Sequence, residues 1–173
     1  PNMTTTATVV TAARRETWGQ SDLPMPEAPR PETVERLSVG PSGVAWLDQY
    51  EMRLFSGSIP SKWDESLHHS ESRLWLRDAQ ARPLDFASLA AMSDVFYPRV
   101  WLRRARHVPA GTVSITTYFH AGPAQLAEVG TGYLLCRAAG QQFFNGFFDQ
   151  AAHLWSEKGV LLATSNQIVY YKE

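Results

Sequence analysis

Phe86-Ala87-Ser88-Leu89-Ala90-Ala91-Met92-Ser93-Asp94-Val95-Phe96-Tyr97 is the stretch on which the fold turns. Asp85 in front of it can cap a helix start and Pro98 behind it marks a stop, so a helix is expected over residues 86–97. Its residues are apolar or small on nearly every face, which predicts burial all round and a central helix with other structure wrapped about it. Asp94 is its only charge. A carboxylate in so apolar a segment needs a compensating partner or a chemical role, the plainer alternative being a last-turn side chain turned to solvent.

After the helix the pattern switches to the two-residue period of strands. Val113, Ile115, Thr117 and Phe119 alternate with Thr112, Ser114, Thr116 and Tyr118, so a strand is expected over residues 112–120. A second is expected over about 128–144, with Gly130 and Gly132 marking a bulge or bend in it. Asn145-Gly146 then makes a type I′ hairpin turn into a third strand over 147–155, and residues 160–171 give a fourth. Before the helix, alternation over residues 46–54 and again over 73–77 predicts two shorter strands, with a polar loop over 61–72 between them. Two strands, one central helix and a four-stranded antiparallel meander make an α+β layout in which a sheet curls around one helix, the arrangement of a hot-dog fold.

The main domain is thus expected over residues 46–173. Residues 21–45 hold five prolines and two glycines and read as an extended, semi-rigid connector. Residues 4–12 and 17–18 read as a hairpin, so residues 1–20 look like a small unit tethered to the rest. The N-terminus lacks the pattern of a signal peptide and no run reaches membrane-spanning length. A single cysteine, Cys136, allows no intrachain disulfide, which fits a reducing, cytoplasmic setting. Sixteen basic against seventeen acidic residues, with no dense basic run, speak against nucleic acid as a partner.

Beyond Asp94, Gln167 shares a strand side with Leu161, Ala163, Ser165 and Val169, which places its amide on the apolar side, where it must find partners. By itself such a residue is more often structural than catalytic. Thr112 is a good strand former and carries no signal alone. No Gly-x-Ser-x-Gly elbow is present, Cys136 sits mid-strand like a packed thiol, and the histidines lack metal-ligand spacing, so neither metal nor cofactor is expected.

Three segments taken in order, Ser88-Leu89-Ala90-Ala91-Met92-Ser93-Asp94, the strand from Thr112 ending Tyr118-Phe119-His120, and Gly159-Val160-Leu161-Leu162-Ala163-Thr164-Ser165-Asn166-Gln167, resemble the C-terminal hot-dog domain of the acyl-CoA thioesterase II family. The resemblance covers about residues 46–171. It implies an acyl-CoA thioesterase in which Asp94, Thr112 and Gln167 hold a water for attack on a thioester carbonyl, with Ser114 as a nearby substitute for Thr112. It also implies that a second hot-dog domain pairs with this one, because family members carry a whole preceding domain of which residues 4–18 look like the final hairpin. A non-catalytic hot-dog domain that binds an acyl group or a partner protein is the alternative. A hot-dog hydratase would pair the helix acid with a histidine, and none lies in or beside this helix.

Overall fold

The computed structural model describes residues 4–38, 45–60, 69–104 and 107–173. Its strands are β1 (Tyr50–Ser56), β2 (Ser72–Asp78), β3 (Ala110–Phe119), β4 (Leu134–Ala139), β5 (Phe143–Phe144), β6 (Phe147–Ser156) and β7 (Leu161–Tyr171). Its helices are α1 (Phe86–Met92), α2 (Val100–Arg103) and α3 (Pro123–Val129). The sheet runs in the order β1-β2-β4-β6-β7-β3, with β5 pairing β6, and every pairing is antiparallel. Only β4, β6 and β7 form the expected meander. β3 instead crosses to the far side of β7 and becomes an edge strand.

Alternation along the strands sorts the core onto two faces. Leu74 and Leu76, Leu134 and Cys136, and Leu154 pack with Leu89, Met92 and Val95 of the helical segment on the inner face. Trp75, Leu135 and Trp155, one residue out of step, form a second cluster on the outer face with Tyr133. Cys136 is fully buried, and that burial pushes its thiol pKa up.

Residues 21–38 of the proline-rich segment cover that outer cluster and are no free connector. Leu23, Met25, Ala28 and Val34 pack on it, Trp75 Nε1 donates to Pro29 O (2.8 Å) and Trp155 Nε1 to Leu23 O (3.3 Å). Arg53 Nη1 donates to Val34 O (2.8 Å), and Leu37 N to Met52 O (2.7 Å). Extended backbone without a sheet neighbour leaves its carbonyls free, and the two indoles and the guanidinium take them. Glu51, hydrogen-bonded by Tyr133, Arg77 and Arg53, underlies this strap; against the opposing effect of burial, those donors hold its carboxyl pKa down to about 2.

The expected N-terminal hairpin is absent. Residues 4–20 are exposed and outside regular secondary structure, with Val9 and Val10 over 80% exposed at 82% and 89%. A two-stranded ribbon with no third strand or packed face gains too little to order itself. Arg14 reaches back, donating to the Phe119 and His120 carbonyls at the end of β3 (2.7 and 2.9 Å).

Two other expectations change. Residues 46–49 belong to a 3₁₀ turn (Ala45–Gln49) ahead of β1, not to the strand. The strand expected from 128 is α3 followed by β4: Pro123 opens the helix, and Gly130 closes it at φ +57°, a conformation that disfavours side chains with a Cβ. Only Leu126 of α3 is buried, which is why hydropathy did not mark it. The Asn145-Gly146 turn is as expected, with φ of +50° and +76°. The loop expected over 61–72 falls largely outside the described residues.

Candidate functional site

Helix α1 is shorter than the expected 86–97. Asp85 caps it as expected, its Oδ1 accepting from Ser88 N (2.7 Å), but the helix ends at Met92 because Ser93 turns its hydroxyl back on the chain. Ser93 Oγ donates to Ala90 O (2.7 Å) and bonds Thr117 Oγ1 of β3 (2.9 Å), while Ser165 Oγ of β7 donates to Ser93 O (3.1 Å). Thr117 and Ser165 are register partners, so one rung of the β3-β7 ladder grips the end of α1.

Asp94 is therefore the first residue past that grip, in a turn rather than in the helix. Two rungs along, Gln167 is 4% exposed and donates from Nε2 to Asp94 Oδ1. Partial burial pushes the Asp94 pKa above the ordinary carboxylate range, with the Gln167 bond acting in the opposite sense. Asp94 also keeps one side open to solvent.

Thr112 reaches this place through a backbone irregularity. Thr112 faces Val169 and Ile115 faces Gln167, so two residues of β3, Val113 and Ser114, occupy the space where β7 has only Ile168. Strict alternation would put Thr112 and Ile115 on opposite faces. The bulge returns both to the inner face and sends Ser114 to the outer one. The expectation that Ser114 shares the face of Thr112 is thus corrected by the bulge.

Asp94, Thr112 and Gln167 come together around a recess of about 70 Å³, whose other walls include Gln150, Phe148 and Val169. A larger open groove of about 520 Å³ meets the recess at Asp94, lined by Trp46, Tyr50, Ala90, Ala91, Ile115 and Thr117. Burial raises the Tyr50 phenol pKa, as do Asp78 and Asp94 beside it. No histidine is among the described linings of either cavity.

The burial of α1 also differs from expectation. Ser88, Leu89 and Met92 are buried, but Phe86, Ala87, Ala91 and Asp94 lie on a face this chain leaves exposed. It adjoins the edge strand β3, where Val113, Ile115 and Tyr118 are exposed too. The sheet wraps one side of the helix, not all of it. Sequence reading missed Ser93, Thr117, Ser165 and Gln150, which are ordinary helix-end and strand residues until the register aligns them. Among the described residues no group of three or more His, Cys, Asp or Glu side chains gathers, and no helix is long and apolar enough to cross a membrane.

Comparison with known proteins bears on the fold and the family. A solved hot-dog protein of unknown function from Alicyclobacillus acidocaldarius is 42% identical at a TM-score of 0.85, covering 92% of this chain and 59% of its own. The acyl-CoA thioesterase II TesB2 of Mycobacterium marinum matches at 16% identity and TM-score 0.67, over 92% of this chain and 59% of its own. The tesB protein of Mycobacterium avium subs paratuberculosis matches at 20% and 0.67, over 88% and 56%. The chain thus spans less than two thirds of the length of these relatives, and the two at low identity speak for the hot-dog fold alone. The comparison with curated proteins gives no match. The family model described as acyl-CoA thioesterase C-terminal domain matches residues 20–171, taking in the strap as well as the sheet and helix, and the chain belongs to that family.

Proposed function

We propose that this chain hydrolyses acyl-CoA thioesters with a water held by Asp94, Thr112 and Gln167. The observation that carries the reading is the bond from Gln167 to Asp94 beside Thr112 in one small recess. The Gln167 N-H is committed to Asp94, which leaves its Oε1 free to accept. A water in the recess then donates one hydrogen to Asp94 and one to Gln167 Oε1, accepts from the Thr112 hydroxyl, and keeps a lone pair for the carbonyl carbon. Asp94 takes the proton as the C–O bond forms, and its raised pKa makes it a better base than an ordinary carboxylate. Collapse of the tetrahedral intermediate breaks the C–S bond and releases the acid and the CoA thiolate, which takes up a proton.

The recess has room for a water and a carbonyl oxygen but not for an acyl chain, which belongs in the groove of Trp46, Tyr50 and Ile115. A second hot-dog domain, from another copy or another segment of a longer protein, pairs against β3 and the exposed face of α1 and roofs that groove. An unpaired ten-residue edge bearing Val113, Ile115 and Tyr118 supports this pairing. The protein is proposed to act in the cytoplasm, without metal or cofactor. Free-thiol release from a panel of acyl-CoAs tests the activity. Steady turnover is expected, whereas tight acyl-CoA binding with no thiol released would make the chain a non-catalytic acyl-binding domain instead.

A further inference from the structure

The proposed mechanism leaves the oxyanion without a donor, and the recess contains one that no role yet uses. Gln150 lies on β6 directly across from Gln167 of β7 and is only 3% exposed. Neighbours at such a rung have Cβ atoms about 5 Å apart, so both amides enter the same space. Unlike Gln167, Gln150 makes no side-chain hydrogen bond among the described residues.

A nearly buried amide without a protein partner can bond only what enters the space it faces. Among the described residues, the only buried side-chain nitrogen or oxygen that is both sealed off and unpartnered is Nδ1 of His153, on another part of the sheet. The Gln150 amide is therefore not sealed. It opens into the recess that it lines with Asp94, Thr112 and Gln167.

We infer that Gln150 is a further catalytic residue, its Nε2-H₂ donating to the thioester carbonyl oxygen and to the oxyanion that forms there. The inference rests on the thioesterase reading above. As attack pushes the carbonyl π electrons onto oxygen, the charge develops within reach of a neutral donor fixed by strand pairing on one side and by the Phe148-Val169 rung beside it on the other. Such a donor is strongest where water is excluded and needs no reorganisation as the charge appears. The two glutamines then divide the work: Gln167 serves the water and its base, and Gln150 serves the carbonyl.

The test compares wild type, Gln150→Leu, Gln150→Glu and Asp94→Asn in acyl-CoA hydrolysis at pH 8, with folding checked by circular dichroism. Leu fills the site without a donor, and ionised Glu keeps the shape with acceptors only, so one folded variant suffices. Loss of an oxyanion donor predicts a kcat lower by about 10²–10³-fold with KM little changed. The acid limb of the pH profile should stay in place in the Leu variant, because the base is untouched. If Gln150→Leu or Gln150→Glu folds and keeps kcat within threefold while Asp94→Asn is inactive, the role of Gln150 is overturned and the thioesterase reading stands. If wild type releases no thiol from any acyl-CoA, both are overturned together.

Discussion

Replacing Ser93 by Ala isolates how the fold holds its candidate base. Ser93 is fully buried, and its hydroxyl makes two contacts, to Ala90 O at 2.7 Å and to Thr117 Oγ1 at 2.9 Å. At a net ~0.5–1.5 kcal/mol per neutral hydrogen bond, their loss costs about 1–3 kcal/mol. Ser93 lies past the helix end, so alanine gains no helix-interior propensity there, and the expected destabilisation stays at about 1–3 kcal/mol, or a Tm lower by roughly 2–12 °C for a chain of this size. The Ser165 bond to the Ser93 carbonyl survives, so the next residue, Asp94, loosens without detaching. Because a misplacement of about 1 Å in a reacting group costs on the order of 10²-fold, kcat should fall by about 10–100-fold. Thermal denaturation and steady-state CoA release measure the two effects. A variant with lowered Tm but wild-type kcat would refute the reasoning, since it would mean that this grip secures the helix and not the base.

Other consequences follow from the same geometry. Thr112→Ala should lower kcat by about 10–100-fold through the lost water contact, and Ser114→Ala, on the other face of the bulge, should leave it within twofold; equal effects in steady-state assays would show that the bulge does not sort the two hydroxyls. Burial raises the Asp94 pKa, so its contribution to stability is present below the unfolded value near ~3.9 and is lost as pH rises through the higher folded value. Asp94→Asn should therefore be more stable than wild type at pH 7, with a gap that narrows as pH falls, and denaturant titrations showing the reverse order would contradict this. Trp75→Phe removes the donor to Pro29 O and should cost about 1–3 kcal/mol while speeding proteolysis within residues 20–37; unchanged cleavage and stability would mean the strap is held by its apolar contacts alone.

What the sequence made legible was whatever repeats at short range. The strand over residues 112–119, the Asn145-Gly146 turn and the Asp85 cap each depend on a few adjacent residues, and each is found. Asp94 and Gln167 were readable because a charge or an amide in an apolar run is anomalous wherever the chain goes. The bulge at Val113 was not readable, since it exists only in the pairing of β3 with β7, two strands more than forty residues apart in sequence. For the same reason alternation could not say that Thr112 and Ile115 share a face, and the resemblance to known thioesterases had to supply Thr112. The strap misled because prolines exclude regular pairing but do not forbid packing, and its anchors, Trp75 and Trp155, lie far along the chain. The exposed face of α1 misled in the opposite way, because its alanines suit burial that this chain alone does not provide.

The central claim is that Asp94 takes the proton of the attacking water, and Asp94→Asn tests it most directly. Asn keeps the shape and an oxygen for the Gln167 donor but deletes the base. Steady-state CoA release by the folded variant should fall to a small residue of the wild-type kcat, with acyl-CoA binding retained. A folded Asp94→Asn protein that turns over at near wild-type rate would contradict the account.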